Sequence, residues 1–197
     1  MAIPHLNRIA KSKVATLNKA SFRWLAGRVS FLMGNKSIPG AMKPDNYKTK
    51  KLFAPGDMFL YHYDAKTKDK LPYWDMFPCT IVIGMYPDGF LGLNLHYLPP
   101  NIRFSFTNKL IQMAQLAPGD TRARMQISYD ILKGSQRLNA YVPCVKRYLI
   151  GHVRSTMMRV FPHEWALVVH LPVANFQKAA PSQVYTESRK KINAARS

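Results

Sequence analysis

The sequence has no apolar run approaching the roughly 18 to 20 residues that a bilayer-spanning helix requires, which argues against a membrane partner. Cysteine is nearly absent. Cys79 and Cys144 stand far apart, with no CxxC or Cys/His spacing around either, so neither a zinc site nor a disulfide scaffold is expected. Both read as small buried residues in a reducing compartment. The usual signatures of catalysis are missing too: there is no Gly-rich phosphate loop with its Lys, no HExxH and no Gly-x-Ser-x-Gly elbow. His163-Glu164 lacks a second His four residues on and is expected at a strand entrance. No internal repeat or low-complexity tract occurs. The expectation is a protein with no catalytic residues, no metal and no cofactor.

Acidic residues are also scarce, and that scarcity is the dominant feature. Against 10 Asp and Glu stand 29 Lys and Arg, a net charge of +19 with a pI near 10.2. Such an excess is self-repelling, and a polyanion normally supplies the counter-charge. The chain is still a folded one, because 47% of its residues are hydrophobic and 12% aromatic.

The charge is uneven. Residues 1–51 carry eleven Lys or Arg and one acid, residues 52–177 thirteen against eight, and residues 178–197 five against one. This divides the chain into a basic N-terminal helical arm (1–51), an α+β core (52–177) and a basic C-terminal helix (178–197). In the first part Leu6, Ala10, Val14, Leu17, Trp24 or Leu25, Val29 and Leu32 recur at helical spacing, with cations on the remaining surface. The basic, acid-free start superficially matches a transit peptide, but the C-terminus has the same character, which targeting does not explain. The candidate polyanion-binding residues are Lys11, Lys13, Lys19, Arg23, Arg28, Lys48, Lys50 and Lys51, together with Arg189, Lys190 and Lys191. Phe22, Trp24 and Phe31 lie among the first group and add apolar anchoring. No base-reading motif is present, so contact to the nucleic-acid backbone and a steep salt dependence are expected.

Pro55-Gly56-Asp57 opens the core as a turn, and the aromatic run Met58 to Tyr63 predicts a strand. Cys79–Tyr86 and Phe90–Leu98 flank Pro87-Asp88-Gly89, a hairpin signature in which Gly89 is expected to supply positive φ. Three short strands with tight turns over residues 55–100 suggest a small SH3-like β-barrel with surrounding helices. Ile102, Phe106, Leu110 and Met113 predict one helix, and Met125, Tyr129 and Leu132 a second. Residues 165–171 are rich in Val and predict a strand, and a last helix is expected from near Ser182.

Three features invite chemistry. Asp64 and Asp75 are candidate ligands for a nuclease metal, although an Asp at a strand end or in a proline-bounded loop more commonly caps a turn. His96 is a candidate ligand or base, weighed against a histidine hydrogen-bonded in the interior. Leu71–Pro78 reads either as an aromatic platform for bases or as a rigid closing loop.

Tyr63-Asp64-Ala65-Lys66, Leu71-Pro72-Tyr73-Trp74-Asp75-Met76-Phe77-Pro78 and Gly89-Phe90-Leu91-Gly92-Leu93-Asn94-Leu95-His96-Tyr97-Leu98 resemble the signature of the T4-like phage DNA end-protector, or head-completion, family. His152-Val153-Arg154-Ser155, Glu164-Trp165, Leu171-Pro172 and Ser188-Arg189-Lys190-Lys191-Ile192 are similar as well. The likeness covers roughly residues 55–192 with gaps and leaves out the N-terminal 50. It implies a structural bacteriophage virion protein, assembled in the host cytoplasm, on the end of packaged double-stranded DNA at the portal and neck, with portal, neck or tail proteins as neighbours. Shielding of that end from nucleases follows, and the family supplies no catalytic residues. Three alternatives stand beside it: a neck, tail or baseplate component whose arms contact other subunits, a ribosome-like RNA-binding protein, and a metal-dependent nuclease.

Overall fold

The computed structural model describes residues 54–116, 139–155, 157–161, 164–169 and 174–194. The helices expected over the first 51 residues and around Met125–Leu132 lie outside them. Within the described residues the strands are β1 (Met58–Leu60), β2 (Trp74–Asp75), β3 (Cys79–Tyr86), β4 (Gly89–Asn94), β5 (Val145–Leu149), β6 (Met158–Val160) and β7 (Phe176–Gln177). The α-helices are α1 (Pro100–Leu116), α2 (Trp165–Val169) and α3 (Pro181–Ala194).

Five strands form one antiparallel sheet in the order β5-β4-β3-β1-β6, and β2 pairs with β7 in a separate two-stranded ribbon. The β3–β4 hairpin is the centre of the sheet, with Tyr86 opposite Gly89 and Thr80 opposite Asn94. A register shift between Val82 and Gly84 inserts an extra residue, the mark of a bulge.

Strand alternation builds two apolar layers from the same strands. Met58, Leu60, Ile81 and Leu93 face one way and meet Phe106, Trp165, Val168, Val184 and Ile192 from the helices. Phe59, Val82 and Phe90 face the other way and meet Tyr61, Tyr63 and Tyr148. Tyr148 is the hub of this second layer, its ring 4.9 Å from that of Tyr63, 5.6 Å from Tyr61 and 5.3 Å from Phe90. Such ring pairs contribute about 0.5–1.5 kcal/mol each beyond the area they bury.

The architecture is mixed α/β, but the closed SH3-like barrel is not formed. β5 and β6 remain the two ends of the sheet, and no ladder joins them among the described residues. Closure demands long, tilted and staggered strands, whereas β1 and β6 have three residues each. The helices cover one face instead, and the chain beyond β1 and β5 is tied by the isolated Tyr63–Val153 bridge and by hydrogen bonds from Arg154 N to His62 O (2.8 Å) and Asp64 N to His152 O (3.0 Å).

Three local expectations are corrected. Residues 165–169 are helical rather than extended: the Glu164 carboxylate accepts from Phe161 N at 2.9 Å at the helix entrance, and Trp165 and Val168 bury one face together. Packing there overrides the strand preference of valine. His163 lies outside the described residues, and its neighbour Glu164 stands at this helix entrance. The second hairpin strand stops at Asn94, whose side chain accepts from His96 N and turns Leu95–Tyr97 into a 3-10 helix. Positive φ occurs at Gly56 (91°), within the turn closed by Asp57 N to Ala54 O, and not at Gly89. Gly89 is required for closeness: a Cβ there would lie 1.9 Å from the Tyr148 carbonyl oxygen of β5.

Candidate functional site

The loop from Ala65 to Pro78 crosses one end of the sheet and is held there by the β2–β7 ribbon, with Trp74 opposite Gln177 and Asp75 opposite Phe176. Between this loop and β5 lies a cleft of about 370 Å³. Its walls are Tyr63, Tyr73, Trp74, Tyr97 and Tyr148 with Leu71, and its cations are Lys66, Lys146 and Arg147. Burial leads the causes that raise the pKa of these phenols, and nearby carboxylates add to it; for Tyr73 that carboxylate is Glu187, to which its hydroxyl donates at 2.7 Å. They are neutral, aromatic wall.

Asp75 is buried at the base of the cleft, and its carboxylate accepts four hydrogen bonds. Phe77 N (3.0 Å) and Asn175 N (3.1 Å) donate to Oδ1; Asn94 Nδ2 (3.0 Å) and His96 Nδ1 (2.7 Å) donate to Oδ2. Burial alone pushes this carboxyl's pKa up. The charge of His96, with the bonds from His96, Asn94 and Phe77, outweighs it and holds the pKa below the ordinary value. The carboxylate fixes the proton on His96 Nδ1. Nε2 is buried and without a hydrogen-bond partner among the described residues. With both side chains 1% exposed and the carboxylate taken up by its four donors, this pair serves to anchor the loop to the 3-10 helix.

Asp64 is spent elsewhere. It pairs with Lys68 at 3.1 Å and Arg154 at 3.6 Å, and the hydrogen bond from Lys68 leads the influences that lower its pKa. Among the described residues no group of three His, Cys, Asp or Glu stands close enough to hold a metal ion. Cys79 and Cys144 are free and buried, and burial pushes the Cys79 thiol up to about 12.

The cations around the cleft are placed by rings. Lys146 Nζ sits 4.4 Å from the centre of the Tyr97 ring, and Lys178 Nζ 5.5 Å from that of Trp74. Lys178 also donates to the carbonyls of Lys68 (2.7 Å) and Leu71 (3.3 Å), which ties α3's entrance to the loop. Burial depresses the pKa of Lys146, Cys144 opposes that, and the charge of Lys191 on α3 adds to it. Helix α3 meets the cleft wall through Glu187, the acceptor of the Tyr73 hydroxyl. Val184, Ser188 and Ile192 are its buried stripe, whereas Arg189, Lys190 and Lys191 are all exposed.

Of the residues singled out from the sequence, Arg189, Lys190 and Lys191 thus lie together on one described helix. Lys11, Lys13, Lys19, Arg23, Arg28, Lys48, Lys50 and Lys51 lie outside the described residues. Lys66, Lys146, Arg147 and Lys178 were not singled out. The alternation Val145-Lys146-Arg147-Tyr148 was the available signal, two cations beside an aromatic in a run short enough to be an edge strand.

The family model described as Phage T4 terminal DNA protecting protein matches residues 6–193. The chain belongs to this family. The terminal DNA protecting protein match begins at residue 6, so the basic N-terminal segment, which the resemblance read from the sequence left out, falls within the span that the family model matches. Comparison with curated proteins and with solved structures returned no match. No described helix is long and apolar enough to cross a membrane.

Proposed function

We propose that this protein binds the end of packaged double-stranded phage DNA within the virion, at the head, portal and neck region, and protects that end from nucleases without catalysing a reaction. The family match over nearly the whole chain carries the reading, and the charge of +19 supports it. A DNA duplex presents one negative charge per ~1.7 Å, and a protein that neutralises several phosphates releases their counterions, so attraction without base readout suffices for affinity. Arg189, Lys190 and Lys191, together with the cations of residues 1–51, supply the contacts. The buried Asp75–His96 pair and the spent Asp64 speak for a binding role over hydrolysis. The portal, neck or tail proteins complete the setting as neighbours.

The test is protection of linear duplex against an exonuclease, with a circular duplex as competitor, across a salt series. Protection of the linear ends that survives excess circle and fades with salt supports the reading. Affinity that is absent, or insensitive to salt, assigns the cations to neighbouring virion subunits instead. Equal or better binding to RNA favours the RNA-binding alternative.

A further inference from the structure

The cleft beneath Ala65–Pro78 is too small for a duplex, whose major groove alone is about 12 Å wide, yet it lies near the low end of the ~300–1000 Å³ that small-ligand pockets occupy. Its walls are aromatic and its free charges positive. Neither Lys66 nor Lys146 has a carboxylate partner among the described residues. Among the described residues that line the cleft, Asp75 alone carries a carboxylate, and it is occupied by its four donors. The indole N–H of Trp74 is without a hydrogen-bond partner among the described residues, a donor the fold itself leaves unused.

We propose that this cleft receives the terminal nucleotide of one DNA strand, with the base against Tyr73 and Trp74 and its phosphate on Lys146 and Lys66. The proposal rests on the DNA-end reading and names the part of the end that is held. Internal nucleotides are paired and stacked on both sides, whereas a terminal one gives up a single stack, so unpairing costs least there. Lys146 is pre-placed by the Tyr97 ring, and α3, which carries Lys191, is joined to the wall at Tyr73 by Glu187, so the next phosphates of the same strand would pass along it. A base on an aromatic side chain is sequence-tolerant, which suits an end of any sequence.

The experiment uses the full chain and three duplexes: one with a single-nucleotide overhang, one blunt, and one closed at both ends by hairpin loops. Overhang is expected to bind tighter than blunt, and blunt tighter than closed. Trp74→Leu is expected to weaken overhang binding roughly 5- to 150-fold and Lys146→Gln about tenfold, with closed-duplex binding unchanged for both. Lys146→Gln leaves the aromatic wall in place and so remains informative if Trp74→Leu fails to fold. A terminal 5-iodo-deoxyuridine, irradiated in the complex, is expected to crosslink to Tyr73 or Trp74. If open ends are preferred but Lys146→Gln binds as wild type and the crosslink maps to α3 or residues 1–51, the cleft proposal is overturned while end binding stands. If the closed duplex binds as well as the open ones, both readings fall.

Discussion

Replacing Asp75 by Asn keeps the shape of the side chain and removes its ability to accept on both sides. The carboxylate receives two backbone N–H groups at Oδ1 and two side-chain donors at Oδ2. An amide has one acceptor oxygen, so its NH₂ must face one pair of donors. One or two of those are left unsatisfied in a buried site, at about 1–3 kcal/mol each. A loss of roughly 2–5 kcal/mol follows, a large share of the ~5–15 kcal/mol that holds a typical domain together. At ~2–4 °C per kcal/mol for a chain of this size, Tm falls by about 4–20 °C. Differential scanning calorimetry at neutral pH, with Asp64→Asn as the control on an exposed carboxylate, measures it. A drop below about 2 °C, or an equal drop in the control, would refute the claim that this knot anchors the loop.

The depressed pKa of Asp75 carries a pH signature: its stabilisation is complete above the unfolded value of ~3.9 and is lost as pH falls through the lower folded value, so Asp75→Asn flattens the acid limb of a Tm-versus-pH curve. Gly89→Ala places a methyl against the Tyr148 carbonyl and is expected to cost about 3 kcal/mol or more in urea unfolding; a loss under about 1 kcal/mol means that β4 and β5 separate easily. Converting Arg189, Lys190 and Lys191 to Gln is expected to reduce the slope of log K against log salt for duplex DNA by up to about 2.7, read by fluorescence anisotropy, with the helix intact by circular dichroism. An unchanged slope removes this triad from the interface.

Features with a strong local signal were legible in the sequence. The Cys79–Tyr86 strand, the turn at Pro55-Gly56-Asp57 and the two helices that follow Pro99-Pro100 and Pro181 are written in apolar spacing and in proline and glycine. What escaped lacks such a signal. β2 and β7 have two residues each, too few for any period, and they exist because Met76 N finds Asn175 O and Asp75 finds Asn175 N across 100 positions. β5 mixes buried Tyr148 with exposed Arg147 and reads as neither strand nor helix until β4 pairs with it. The cleft is assembled from these elements, so its cations carry no local signature in the sequence, whereas the aromatic run Leu71–Pro78 does. Asp75 and His96 stand 21 positions apart, and only the tertiary fold makes them a pair.

Glu187 on α3 accepts from the Tyr73 hydroxyl at 2.7 Å, and Lys178, just ahead of α3, donates to the carbonyls of Lys68 and Leu71. The C-terminal helix is thus fastened to the same loop that roofs the cleft. A ligand that binds the cleft and not the unfolded chain adds stability that grows with its occupancy, and loop and helix share it because they are tied together.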